Sequence, residues 1–337
     1  MSWPLTRRPR LALALQGGGA HGAFTWGVLD ALLEREEIDI TALSGTSAGA
    51  FNAVLLAHGL LEGGRDGARN ALAHFWQTLG SQLPFEWLTQ GEGASTALTP
   101  AARLWLQWSQ LVSPYQRAPT EADPLRELLE ASVDFARLRG QRGLALYIAA
   151  THADSGRLRI FRTPELSADA VLASACLPMI SKAVQIDGQA YWDGGYSANP
   201  ALFPLIDETD ASDLLLVLLS PRDFGALPQT PDAIRRRAME IGFNAAFLRE
   251  MAALARARVA AERGLWRWGR QARLLWHLID GDGTLGALSQ DSQLIAHRPF
   301  LEHLRDAGRA QAQAWLAQHA ATLGQRSSLD LVARFGA

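Results

Sequence analysis

A short apolar run from Leu11 to Leu15 ends in three glycines, and the residues beyond it change period. Phe24, Val28, Leu29 and Leu32 recur at three- to four-residue intervals between Ala23 and Glu34, the spacing of one helix face. This reads as strand, glycine turn and helix. Ile38 to Leu43 gives a second strand, and the small and apolar residues after Gly45 predict a buried helix to about His58. Two strand-to-helix junctions in succession predict βαβ packing and a mainly parallel sheet.

From Gly63 to Pro124 the pattern breaks into short helical pieces interrupted by Gly and Pro, with Trp76, Trp87, Trp105 and Trp108 scattered among them. This stretch, about 63–124, reads as a helical insertion outside the sheet. Strand character resumes at Leu144 to Thr151 and Arg157 to Phe161, and Ser167 to Cys176 reads as helix. Ala183 to Ile186 followed by Tyr191-Trp192 resembles a hairpin leading into Asp193-Gly194-Gly195. Leu214 to Leu219 predicts a buried strand, Pro231 to Glu262 a long helix, Leu274 to Ile279 a strand-like run, and Leu301 to His319 a helix.

At 337 residues the chain can bury a sizeable core, as one large α/β unit with additions or as two units. A net charge of -2 gives no reason to expect a nucleic-acid partner. Cys176 is the only cysteine, so one chain can form neither an internal disulfide nor a thiolate cluster, which fits a reducing, cytoplasmic setting. The basic and apolar start, MSWPLTRRPRLALAL, has the outline of a secretory signal. Its apolar stretch stops at Leu15, however, and Gln16 to Gly19 reads better as a loop after a buried strand. No apolar run approaches the roughly 20 residues of a spanning helix, so any membrane contact is expected to be peripheral.

The strongest chemical signal is Gly45-Thr46-Ser47-Ala48-Gly49, a G-x-S-x-G between a predicted strand and a predicted helix. In that setting the glycines relieve crowding at a sharp turn, the serine hydroxyl stands at the end of the strand, and the helix N-terminus favours developing negative charge. Gly17-Gly18-Gly19-Ala20-His21-Gly22 occupies the other strand-to-helix junction and satisfies G-x-G-x-x-G. Such a run can bind nucleotide pyrophosphate. It can equally offer backbone N–H groups to a tetrahedral oxyanion. The next strand ends in Ser44-Gly45 rather than in an acidic residue for a ribose.

A serine nucleophile needs a base. His21, His58, His74, His152, His277, His297, His303 and His319 are available, and none lies in a motif that would orient it toward Ser47. Asp193, between an apolar strand and two glycines, could project from a sheet edge, although Asp-Gly-Gly is also an ordinary turn.

Together these motifs resemble the patatin-like phospholipase family, in which a glycine-rich oxyanion loop, a G-x-S-x-G serine and an Asp-Gly-Gly or Asp-Gly-Ala aspartate follow in that order. Here they are Gly17 to Gly22, Gly45 to Gly49 and Asp193 to Gly195. Ala173-Ser174-Ala175-Cys176-Leu177-Pro178 matches a further small-residue and proline feature of bacterial members. The resemblance covers about Arg10 to Leu205. It implies a three-layer α/β/α fold with a mainly parallel sheet. The catalytic core would span 10–205, and 206–337 would supply one strand completing the sheet plus a helical extension.

For chemistry, the resemblance implies an acyl hydrolase with Ser47 as nucleophile and Asp193 as general base. Gly17, Gly18 and Gly19 would form the oxyanion hole, and Gly22, Gly45, Gly49, Gly194 and Gly195 would support the motifs. Neither metal nor cofactor is required. The substrates expected are lipid or acyl esters, with phospholipid leading and a short-chain or storage polyester as the alternative. A nucleotide-binding protein is the alternative of another class. The chain departs from the family at His21, where Arg or Lys is usual, which replaces a fixed charge by a titratable one or by simple packing.

Eleven tryptophans leave two readings of the segment from Trp76 to Tyr115: an apolar lid of Leu104, Trp105, Leu106, Trp108 and Leu111 that meets lipid, or ordinary core. Arg235, Arg236 and Arg237, with Arg249, Arg256 and Arg258, could attract anionic headgroups. Glu240, Glu250 and Glu262 interleave with them, which favours a solvated helix face.

Overall fold

The computed structural model describes residues 8–82, 88–109, 112–116, 123–221, 223–262, 273–288 and 291–336. Trp87 and Leu111 of the expected lid lie outside the described residues, as do the side chains of Leu106 and Glu262.

The chain opens with β1 (Arg10–Leu15), the helix α1 (Gly22–Leu33), β2 (Asp39–Gly45) and the helix α2 (Ala48–Gln82). A two-stranded ribbon follows, β3 (Thr89–Gln90) with β4 (Ala97–Leu98), and then β5 (Ala145–His152), β6 (Leu158–Arg162), β7 (Val184–Ile186), β8 (Gln189–Asp193), β9 (Asp213–Leu218) and β10 (Leu275–Asp280). Along hydrogen-bonded neighbours the main eight-stranded sheet reads β10-β9-β1-β2-β5-β8-β7, with β6 also paired to β5. The five strands from β10 to β5 are parallel, and β6, β7 and β8 are antiparallel additions.

Register on β5 places the site. Gly45 of β2 pairs with Ile148, and Asp193 of β8 pairs with Ala150. Because β6 pairs with Tyr147 to Thr151, it fills one edge of β5 and leaves β2 and β8 to share the other. The C-terminal ends of β2 and β8 therefore approach each other along a single strand edge.

The pleat explains the layers. Leu11, Leu13 and Leu15 of β1 point to one face, where α1, α2 and the helix Arg298–His319 pack, and each leucine is fully buried. Burial on that scale is worth about 1.5–3 kcal/mol per side chain. Ala12 and Ala14 point to the other face, against Leu205 and Ile206 of the helix Phe203–Asp207 and Phe247 and Met251 of the helix Pro231–Glu262. Helices on both faces of a mainly parallel sheet make the three-layer α/β fold that the sequence implies.

Two expectations change. The segment beyond Gly63 is not wholly an insertion, because α2 continues to Gln82 across a break at Gly63 and Gly64, where Gly64 takes φ +63°. Ala68, Leu72, Phe75 and Trp76 are buried, so this part of the expected insertion belongs to the core. Beyond Asp207 the chain contributes two sheet strands, β9 and β10, rather than one. The helix Arg298–His319 crosses α1 backbone to backbone: a Cβ on Gly27 would lie 1.9 Å from the Arg305 carbonyl oxygen, and one on Gly308 would lie 2.0 Å from that of Phe24. Only glycine permits such contact, so this helix is part of the packed core.

Candidate active site

Ser47 stands in the two-residue turn between β2 and α2 with φ +53°, in the left-handed region. For a residue with a Cβ this costs on the order of 1–3 kcal/mol, and the surroundings hold it there. A Cβ on Gly45 would lie 2.5 Å from the Gly49 carbonyl oxygen, and one on Gly49 would lie 2.2 Å from that of Leu15. Both motif glycines are therefore fixed by packing. The Thr46 hydroxyl donates to the Ala198 carbonyl at 2.8 Å, and the Ser47 amide donates to Ser174 Oγ at 2.9 Å.

Asp193 ends β8 and is 1% exposed. Its carboxylate accepts the Gly195 N–H at 2.7 Å and lies beside the Ser47 side chain. Burial pushes this carboxyl up to about 7, against the downward pull of the Gly195 N–H and the neighbouring Ser47 hydroxyl. The main chain of Asp193 is also held: its N–H donates to the Cys176 carbonyl at 2.8 Å, and its carbonyl accepts the Thr151 hydroxyl at 2.8 Å. The following glycines have steric reasons. A Cβ on Gly194 would lie 2.3 Å from the Ala149 carbonyl oxygen, and one on Gly195 would strike the Phe243 ring at 2.1 Å.

The glycine loop passes directly over the serine turn, since a Cβ on Gly17 would lie 2.7 Å from Ser47 Cβ. The Gly17 amide donates to Asn199 Oδ1 at 2.7 Å, so it is engaged and leaves the set of N–H groups expected for an oxyanion hole. Gly18 and Gly19 remain, half-buried and exposed respectively, on the wall of a cavity that also reaches Ser47. Gly19 takes φ +57°, and a Cβ there would meet the Gln293 carbonyl oxygen at 2.3 Å. Gly22 lets α1 approach α2, with its missing Cβ 2.5 Å from Ala48 Cβ.

His21 is 4% exposed, and its Nε2 lies 2.7 Å from Ser292 Oγ. Burial lowers its pKa to about 4, so at neutral pH it packs beneath the loop as an uncharged ring. Of the two readings of this departure from the family pattern, packing describes what the residue does.

Sequence reasoning missed the clamp behind the loop. The Gln16 amide nitrogen donates to the Asn199 carbonyl at 3.2 Å and to Asn244 Oδ1 at 2.9 Å, while its Oε1 accepts the amides of Leu219 and Ser220 at 2.6 and 2.8 Å. Asn199 follows the Asp-Gly-Gly turn closely in the chain, but nothing in its immediate sequence reveals that it reaches Gly17.

A cavity of about 570 Å³ opens over Ser47 and Asp193. Its walls are mainly apolar, with Phe51, Phe75, Leu125, Met179 and Phe243 among them, and no histidine lies among the described lining residues. Arg103, Arg235 and Arg236 also line it. Asp291 accepts from Arg103 at 2.8 Å and from Arg236 at 3.4 Å. The helix face expected to be only solvated thus looks partly into the cavity mouth, although Arg237 turns aside to the Phe224 carbonyl. Glu250 turns inward as well and accepts the Phe203 N–H at 3.0 Å.

A family model described as patatin-like phospholipase matches residues 13–206, more than half of the chain and all of the motifs above. The chain belongs to the patatin-like phospholipase family. Membership supports lipid acyl hydrolysis as the general activity of this patatin-like chain. No curated protein matches it in sequence. Among solved structures, VipD from Legionella pneumophila is similar at 16% identity and a TM-score of 0.44, over 98% of this chain and 73% of its own. The ExoU-SpcU complex of the Pseudomonas aeruginosa type III secretion system is similar at 19% identity and a TM-score of 0.37, over 98% and 75%.

Proposed function

We propose that this patatin-like chain hydrolyses carboxylic ester bonds of lipids, of the phospholipase A type, through a Ser47–Asp193 dyad. The observation that carries the reading is the placing of the Ser47 side chain beside a buried carboxyl whose pKa is raised to about 7, both on the wall of one cavity. A base near the operating pH combines a deprotonated population with useful proton affinity. Ser47 Oγ attacks the acyl carbonyl carbon and passes its proton to Asp193. The N–H groups of Gly18 and Gly19 hold the resulting oxyanion. Collapse expels the alcohol with the proton from Asp193 and leaves an acyl-enzyme. Asp193 then deprotonates a water, which attacks the acyl carbon and releases the fatty acid, and the proton returns to Ser47.

The apolar cavity supports an acyl chain as the bound group. Peripheral contact with lipid is part of the same reading: Trp105 and Trp108 are 69% and 67% exposed, beside the exposed Leu104, while Trp76 is buried in the core. Among the described residues no helix is long and apolar enough to cross a membrane. The proximity of Ser47 and Asp193 favours acyl transfer over the nucleotide-binding alternative, which gives the two residues no reason to meet.

The test is hydrolysis of a p-nitrophenyl ester series and of phospholipid vesicles by wild type, Ser47→Ala and Asp193→Asn, with folding followed by circular dichroism. Both folded variants are expected to lose turnover. Substantial activity in Asp193→Asn would move the base elsewhere. The chain-length profile would separate long lipid chains from short-chain or polyester substrates.

A further inference from the structure

The segment Ala173 to Pro178 matches a family feature in sequence, yet the chemistry above gives it no task. It begins at the end of the helix Ala168–Ser174 and reaches both proposed reacting residues. Ser174 is fully buried, and its Oγ accepts the Ser47 N–H at 2.9 Å. Two residues later the Cys176 carbonyl accepts the Asp193 N–H at 2.8 Å. Ala175, between them, lines the cavity. One short stretch of chain therefore grips the main chain of the serine and the main chain of the aspartate.

Such a grip is needed on the serine side in particular. Ser47 is held at φ +53°, a conformation that persists only where neighbouring groups over-determine it. Its carbonyl is taken by the Ala50 N–H at 2.8 Å, a bond of the new helix, whereas its amide points away from that helix toward Ser174. An alanine at 174 would leave the half-buried Ser47 amide without that acceptor, and the turn could relax toward a commoner conformation that swings Oγ away from Asp193.

We infer that Ser174 is a positioning residue for the acyl transfer. Its hydroxyl fixes the Ser47 backbone while the Cys176 carbonyl fixes that of Asp193, so the Ser174–Cys176 segment sets the separation of the two reacting groups. The inference rests on the Ser47–Asp193 reading.

The experiment compares wild type, Ser174→Ala and Ser328→Ala in p-nitrophenyl ester kinetics and in labelling of Ser47 by a fluorophosphonate probe, scaled to the folded fraction. Ser328 is a control for loss of a side-chain hydrogen bond elsewhere, since its hydroxyl lies 2.9 Å from His277 Nδ1. Ser174→Ala is expected to lose about tenfold or more in kcat and in labelling rate with KM little changed, the rate equivalent of about one net hydrogen bond. Ser328→Ala is expected to lower the melting temperature and keep wild-type kcat.

Should alanine at 174 prevent folding, Ser174→Cys nearly preserves the volume but offers only a weak acceptor, and the same loss is expected of it. Wild-type kcat and labelling in either folded variant of Ser174 would overturn the inference. If Ser47 of the wild type is itself unlabelled and no ester is turned over, the proposed function has failed and not the positioning role alone.

Discussion

The Ser47 side chain lies beside the Asp193 carboxyl because β2 and β8 end against the same edge of β5, the first at Ile148 and the second at Ala150. The strands arrive from opposite directions, so their terminal residues face each other across a gap that the Thr46-Ser47 turn fills. A Cβ on Gly194 would touch the Thr46 methyl at 3.0 Å, which shows how closely the two turns fit.

The first prediction concerns pH and rate. With the carboxyl at about 7, Asp193 is protonated and unable to accept a proton on the acid side. The rate kcat/KM should rise with pH through about 7 and then level, without a second limb from His21, which is neutral above about 4. A profile already flat from pH 5 to 8 would remove Asp193 as the base.

The same shift has a consequence for stability. The folded carboxyl, at about 7, binds its proton more tightly than an unfolded aspartate at about 3.9 does. Stability from this group is therefore fully present below about 4 and falls as pH rises toward 7. Asp193→Asn should be more stable than wild type at pH 8, by roughly 2–4 kcal/mol, and about equal to it at pH 4. Denaturant melts at the two pH values check this, and an equal difference at both would contradict it.

Trp105 and Trp108 offer a separable test of lipid contact. Replacing both by serine should weaken binding to phospholipid vesicles by about tenfold or more, as expected for losing two large apolar contacts. Hydrolysis of a soluble p-nitrophenyl ester should be unchanged. Intact vesicle binding in the folded double variant would end the lid reading.

A second buried pair lies at the other end of the strands. Asp213, the first residue of β9, accepts from His277 Nε2 at 2.9 Å, from the Gly324 N–H at 2.9 Å and from the Ser212 hydroxyl at 2.6 Å. Burial pushes its carboxyl up, but these donors outweigh that and hold it below the usual range. Its contribution to stability is thus present above about 4 and lost as pH falls through the lower folded value. Asp213→Ala should cost about 3–5 kcal/mol at pH 7, because it strands the partners of a buried charge. Activity of the folded variant at low temperature should persist. Loss of activity without loss of stability would contradict this purely structural role.

Much of this protein was legible from one dimension. The periods of apolar residues located β1, α1, β2, β5, β6, β9 and the helix Pro231–Glu262 because a strand buried on both faces and a helix packed on one each leave a local signature. Ser47 and its flanking glycines were legible for a similar reason: a sharp strand-to-helix turn demands small residues at fixed spacing, whatever surrounds it. What the tertiary structure decided are relations between distant segments. That α2 runs on to Gln82 past Gly64 depends on the core available to Phe75 and Trp76, and that the helix Arg298–His319 belongs to the core depends on Gly27 meeting Gly308. Asn199 takes the amide of Gly17, and Ser174 takes the amide of Ser47. Propensity and periodicity act over a few residues, whereas a hydrogen bond between chain segments more than a hundred residues apart exists only once the sheet has set their register.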